Sequence, residues 1–184
     1  MTIAEIFFVQ FANSVFHKFA NSQMNPIVSA FTKIEKLPTF MQSWAKDFAL
    51  KKTVPYVATT GVKFEKTEKN EWIASIKNKR KVGNHLKQIH AGAMIVLAES
   101  VSVMLTAMNM PSGRVPLVKT IHADFVKRST GNMRASAKLT NEQIQFIQDN
   151  EKGELEIVVE VFDEADVQPI LVTVTSAWIP KKRK

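Results

Sequence analysis

The stretch from Ala91 to Met108 constrains this chain more than any other. It is rich in Ala, Met, Leu and Val, has no proline, and has no glycine after Gly92. A segment apolar on every side has no face to offer water, so it reads as a helix buried inside a domain. Glu99, Ser100 and Ser102 interrupt it, so it is no run of eighteen consecutive apolar residues, and no membrane span is expected. Shorter runs flank it. Val62 and Phe64, then Trp72, Ile73, Ser75 and Ile76, sit among charged residues and are divided by Lys69-Asn70, as in a hairpin. Downstream, Leu117 to Arg128, Asn132 to Leu139, Leu155 to Phe162 and Ile170 to Ile179 read as four strands punctuated by Gly131, Gly153 and Pro169. Asn141 to Glu151 fits a short helix or an excursion between strands. One helix among six strands provides too few crossovers for a doubly wound parallel sheet. Successive strands imply antiparallel pairs wrapped on the single helix, an α+β fold.

Ahead of the strands, roughly the first 53 residues read as a helical extension, giving a division into 1–53 and 54–184. Met1 to Phe19 places Ile3, Ile6, Phe7, Phe11, Val15 and Phe19 mostly at three- and four-residue intervals. That is an amphipathic helix packed on the domain or a partner subunit, with a peripheral membrane helix as the alternative. No basic residue precedes Lys18, and Glu5, Gln10, Asn13 and Ser14 break the apolar run, which argues against a secretory signal. Pro26 suits the first turn of a second helix, Leu37-Pro38 breaks it, and Phe40, Met41, Trp44, Phe48 and Leu50 resume helical spacing until Pro55 ends the region.

Lys and Arg number 25 against 17 Asp and Glu, a formal charge of +8. The balance favours a polyanionic partner, whether nucleic acid, anionic membrane or phosphorylated cofactor. With no cysteine, disulfides, thiolate metal sites and thiol nucleophiles are excluded, which agrees with a cytoplasmic protein. The Walker and dinucleotide glycine patterns are absent.

The densest polar cluster, Asn84, His85, Gln88 and His90, directly precedes the apolar helix. Glu99 lies inside that helix between Leu97, Ala98, Val101 and Val103. Apolar surroundings raise a carboxylate's pKa, the condition for a base working near neutral pH. Gly92 would let a substrate oxygen reach the backbone N–H groups at the helix start, where the dipole favours negative charge. His90 and Glu99 are nine residues apart, about two and a half turns, and point to different sides of one helix. A site using both forms more naturally across an interface, with Glu99 facing a second subunit. His85 and His90 lack a third convergent ligand for zinc, and Ser100 and Ser102 lack a nucleophile elbow.

The stretch Asn84-His85-Leu86-Lys87-Gln88-Ile89-His90-Ala91-Gly92-Ala93-Met94, continuing to Leu97-Ala98-Glu99, resembles the hotdog-fold acyl-CoA thioesterases of the phenylacetate-pathway and hydroxybenzoyl-CoA type. There a polar residue precedes His-Gly-Gly and a helix bearing Asp or Glu. The run Ile121 to Gly131 resembles the family's strand ending in an aromatic, a basic residue and a turn glycine. The similarity spans about Tyr56 to Trp178 and implies a curved antiparallel sheet around one long helix, pairing as a homodimer or a dimer of dimers. It also implies hydrolysis of an acyl-CoA or acyl-carrier-protein thioester, with no metal and no cofactor beyond the coenzyme A thioester as substrate. Glu99 would be the base or nucleophile, the Gly92 N–H the oxyanion donor, and His90 and Asn84 would orient the thioester carbonyl or water from the other subunit. Arg80, Lys127 and Arg128 would meet the phosphates of coenzyme A. Two departures stand out: His-Ala-Gly replaces His-Gly-Gly, and Ser102 is displaced by one position from the family's hydroxyl. A non-catalytic acyl-ligand binder and a dehydratase share the fold. Nucleic-acid binding ranks below them, because no aromatic residue is interleaved with the basic tail Lys181-Lys182-Arg183-Lys184.

Overall fold

The computed structural model describes residues 26–181. The helix expected over Met1 to Phe19 and the end of the basic tail lie outside the described residues. Helix α1 (Pro26–Ile34) starts at the proline, where no N–H is needed. Pro38 separates it from α2 (Thr39–Thr53). The Gln42 side chain donates from α2 to Glu35 O and Leu37 O at 3.1 and 2.9 Å, satisfying carbonyls that the end of α1 leaves unpaired.

Pro55 does not end the helical region. It occupies the first turn of a further helix, α3 (Pro55–Thr60), which closes at Gly61 with φ +78°. A proline that breaks one helix is equally suited to begin the next, and a left-handed residue stops it.

The hairpin follows as β1 (Lys63–Thr67) and β2 (Glu71–Ile76). A short 3₁₀ turn (Arg80–Val82) leads to α4 (Ala91–Asn109), then β3 (Arg114–Phe125) and β4 (Met133–Lys138). Helix α5 (Asn141–Asp149) resolves the ambiguous segment: Thr140 Oγ1 accepts from Gln143 N–H at 3.2 Å while Gln143 Oε1 accepts from Thr140 N–H at 2.8 Å. Such a capping box makes helix the cheaper conformation for this polar stretch. Strands β5 (Gly153–Asp163) and β6 (Ile170–Pro180) complete the chain.

The six strands form one sheet in the order β1-β2-β4-β5-β6-β3, antiparallel throughout. After α4 the chain runs to the far edge as β3, then returns so that β4 pairs with β2. The curved sheet thereby wraps the one long helix, the α+β hotdog arrangement that the resemblance implied.

Met94, Val96, Leu97, Val101, Met104 and Leu105 of α4 are buried. Each such side chain contributes roughly 1.5–3 kcal/mol of transfer free energy. By length and apolarity α4 would suit a membrane span, but 67% of that stretch is buried inside the protein. Gly92, Ile95, Glu99 and Val103 form a strip, at helical spacing, that this burial leaves open or only partly covered.

The N-terminal helices share the same core. Phe31 of α1 stacks on Trp72 of β2 with centroids 6.0 Å apart, and Phe64 meets Trp72 edge-on at 5.6 Å. Asp47 of α2 accepts the Phe64 N–H at 3.0 Å, fixing α2 on the edge strand.

Candidate active site

Glu99 lies mid-helix on the open strip, and the solvent it loses there pushes its carboxyl above the usual carboxylate range. Among the described residues no cation pairs with it and no side-chain hydrogen bond holds it. The ionised form is left without the stabilisation that structural carboxylates acquire. It combines raised basicity with partial access, as a proton acceptor requires.

His90 is the N-cap of α4. Its Nδ1 accepts the Gly92 N–H at 3.0 Å, while its carbonyl accepts from Ala93 and Met94 at 2.9 and 3.2 Å. Two expectations change as a result. The Gly92 N–H, expected to stabilise an oxyanion, is taken up by the cap within the same chain. A neutral imidazole accepting at Nδ1 carries its proton on Nε2, so His90 presents an N–H donor on an exposed ring. The free amide at the helix start is that of Ala91, exposed and without a partner among the described residues. Sequence reasoning missed it because Ala91 stands where the resembling family has glycine. The missing signal was the cap: a histidine two residues before a helical glycine can occupy that glycine's amide.

Asn84 is mainly structural. Its Oδ1 accepts both Leu86 N–H at 2.9 Å and Gln88 N–H at 3.0 Å, and its backbone N–H donates to Gln88 O at 2.8 Å. The loop is closed around Lys87, whose φ is +59°. Only the Asn84 Nδ2 amide remains to meet a substrate oxygen. A backbone bridge from His90 N–H to Val82 O, 2.8 Å long, holds the loop against the 3₁₀ turn.

Ser102 is fully buried, and its hydroxyl donates back into the helix to Ala98 O and Glu99 O, both at 3.1 Å. It does not face water.

Arg80 sits in the 3₁₀ turn, and Lys127 and Arg128 follow the end of β3; all three are exposed. Their loops are neighbours, because Asn78 N–H donates to Asn132 Oδ1 at 3.0 Å.

Along α4, nine residues separate His90 from Glu99, a rise of about 13 Å. One chain therefore does not bring the cap and the carboxylate together. Among the described residues, no three His, Asp or Glu side chains cluster as a metal site would need.

The family model for a domain of unknown function, DUF4442, matches residues 42–179. The chain belongs to the DUF4442 family. The matched region begins inside α2 and takes in all six strands but for the last residue of β6, together with the helix start and Glu99. Several solved structures share this DUF4442 fold. One is PA5026 from Pseudomonas aeruginosa, a protein of unknown function described as a probable thioesterase. It is 21% identical with a TM-score of 0.67, and the alignment covers 78% of this chain and 97% of that one. Thioesterase HI1161 from Haemophilus influenzae is 14% identical with a TM-score of 0.58, covering 70% and 85%. A Q49A mutant of thioesterase PA1618 from Pseudomonas aeruginosa is 17% identical with a TM-score of 0.60, covering 73% and 94%. At these identities the likeness establishes the hotdog fold of this DUF4442 chain. No curated protein matches it.

Proposed function

We propose that this DUF4442 protein hydrolyses the thioester of an acyl-CoA or an acyl-carrier protein, with Glu99 as general base. The observation that carries the reading is the unpaired, desolvated carboxylate on the one open strip of an otherwise buried helix. The names of its structural neighbours agree with it.

In this reading Glu99 takes a proton from a water that attacks the thioester carbon. The oxyanion of the tetrahedral adduct is held by the Ala91 N–H at the positive end of α4, with the His90 Nε2–H beside it. Collapse of the adduct breaks the C–S bond and expels the thiolate, which Glu99 reprotonates, leaving a carboxylic acid and a free thiol.

The rise of about 13 Å between the two halves supports a site assembled from two chains, a homodimer in which Glu99 of one copy faces the helix start of the other. Strand β3 gives such a partner a place to pair. Among the described residues it is a twelve-residue edge strand bonded only to β6, with Leu117 and Phe125 exposed. Arg80, Lys127 and Arg128, on adjoining loops, are placed to meet the phosphates of the carrier.

The test is thiol release from a panel of aliphatic and aromatic acyl-CoA thioesters by wild type and Glu99→Gln. Turnover of at least one member by wild type alone supports the proposal. Equal rates for both proteins, or none from either across the panel, would count against it.

A further inference from the structure

We infer that a second site, separate from the proposed catalytic residues, binds a phosphate-bearing anion in a lysine-lined pocket between the N-terminal helices and the β1–β2 hairpin. The pocket, of about 260 Å³, is lined by Lys51 of α2, Thr60 and Gly61 at the end of α3, Lys63 of β1, Ser75 of β2, and Lys77, Lys79 and Lys81 of the following loop; Asp47 completes it. Three segments distant in sequence thus bring five ammonium-bearing side chains to one cavity.

The one carboxylate among its described lining residues is already committed at both oxygens. Asp47 Oδ2 pairs with Lys51 at 2.6 Å, and Oδ1 accepts the Phe64 N–H at 3.0 Å. Lys81 is pinned by its donation to Thr59 O at 2.8 Å, a carbonyl near the end of α3. Lys63, Lys77 and Lys79 make no ion pair among the described residues. The carboxylate that feels Lys63, Glu65, is bonded to Arg134 at 2.8 Å. Among the described lining residues five lysines face one aspartate, and Glu65, which also bonds the lining Ser75 and feels Lys63, is shared with Arg134, so the cavity keeps a net positive field that an entering anion relieves.

The chemistry favours phosphate over carboxylate. Lysines act as point charges on flexible stems and suit a tetrahedral, multiply charged group with several acceptor oxygens, whereas a carboxylate brings a single charge and two oxygens to a cavity with several ammonium groups. None of the lining residues belongs to the proposed catalytic set, so the inference does not rest on thioester hydrolysis. The pocket nonetheless adjoins the helix start: Lys81 precedes Val82, whose carbonyl holds the His90 N–H.

The experiment titrates the full chain by calorimetry with inorganic pyrophosphate and with adenosine 3′,5′-bisphosphate, and by co-sedimentation with phosphatidylcholine vesicles with and without phosphatidate. Each is repeated on the triple variant Lys63→Gln/Lys77→Gln/Lys79→Gln. A control triple, Lys119→Gln/Lys138→Gln/Lys152→Gln, removes the same charge elsewhere. All six lysines are exposed, so both variants should fold. Saturable binding that weakens at least about tenfold in the pocket variant, and less than about twofold in the control, supports the site. A response to the soluble phosphates identifies a free or nucleotide phosphate as the source, and a response to phosphatidate vesicles alone identifies a lipid headgroup. Equal weakening in both triples, or no saturable binding of any probe by wild type, overturns it.

Discussion

Two acidic side chains removed from bulk water in this domain are treated in opposite ways. Asp163, 8% exposed at the end of β5, accepts three backbone N–H groups: Thr130 at 2.7 Å, Ala165 at 2.9 Å and Val167 at 3.0 Å. It ties the loop after β3 to the loop before β6, and every lone pair that matters has a partner. Glu99, half-buried on α4, has none among the described residues, and burial pushes its pKa up. A carboxylate that organises backbone is satisfied by it, and its removal costs stability. A carboxylate held open and unsatisfied costs stability where it stands and is available for chemistry.

Complementation separates the two most sharply. Glu99→Gln and His90→Ala should each lower thioester turnover by about 100-fold or more in isolation. Co-expressed in equal amounts they should recover about a quarter of wild-type activity, because half of the dimers then hold one intact site. No recovery on mixing would mean that each chain builds its own site.

Next in size is Asp163→Ala, expected to cost about 3 kcal/mol by stranding three N–H groups. That lowers the thermal midpoint by roughly 10 °C while the rate per folded molecule stays within about twofold of wild type. A shift of only about a degree would show that the loop does not depend on that carboxylate.

The smallest effect has the opposite sign. Glu99 has a raised folded-state pKa, so its protonated form is the one the fold favours. Folding stability is then fully present below the ordinary carboxylate value of 4.5 and declines as pH rises through the raised value. Glu99→Gln should therefore raise the midpoint at pH 7 slightly, with the gain vanishing under acid conditions. A lower midpoint at neutral pH would reveal a hidden partner for the carboxylate.

Much of the fold was legible in the sequence. The order of hairpin, apolar helix and four strands follows from one long segment without a polar face and several short ones with turn residues between them. Pro26 marked a helix start for the reason that Pro55 did too, yet Pro55 reads as a terminator until the chain beyond it is seen to turn helical. The Thr140–Gln143 box was present in the sequence, but its weight against strand continuation depended on where β4 ended.

The site was legible in part. Glu99 stood out because a carboxylate amid Leu, Ala and Val is anomalous locally. The redirection of the Gly92 amide was only half readable: the His90–Gly92 spacing permits the cap, but its formation depends on the rotamer of His90. Asp163 gave no signal: its three donors come from two loops, one of them more than thirty residues away in sequence. The lysine pocket was hidden likewise, because Lys63 meets Lys77, Lys79 and Lys81 through the register of the hairpin and Lys51 joins them only through packing of α2 on it.

The most direct test of the contrast is the pH dependence of kcat/KM for thioester hydrolysis, measured for wild type beside Glu99→Gln. Wild type should gain activity as pH rises through an ionisation above the ordinary carboxylate range. The variant should be at least about 100-fold slower and lack that limb. A variant that kept the wild-type rate, or the same limb, would contradict the assignment of Glu99 as the base.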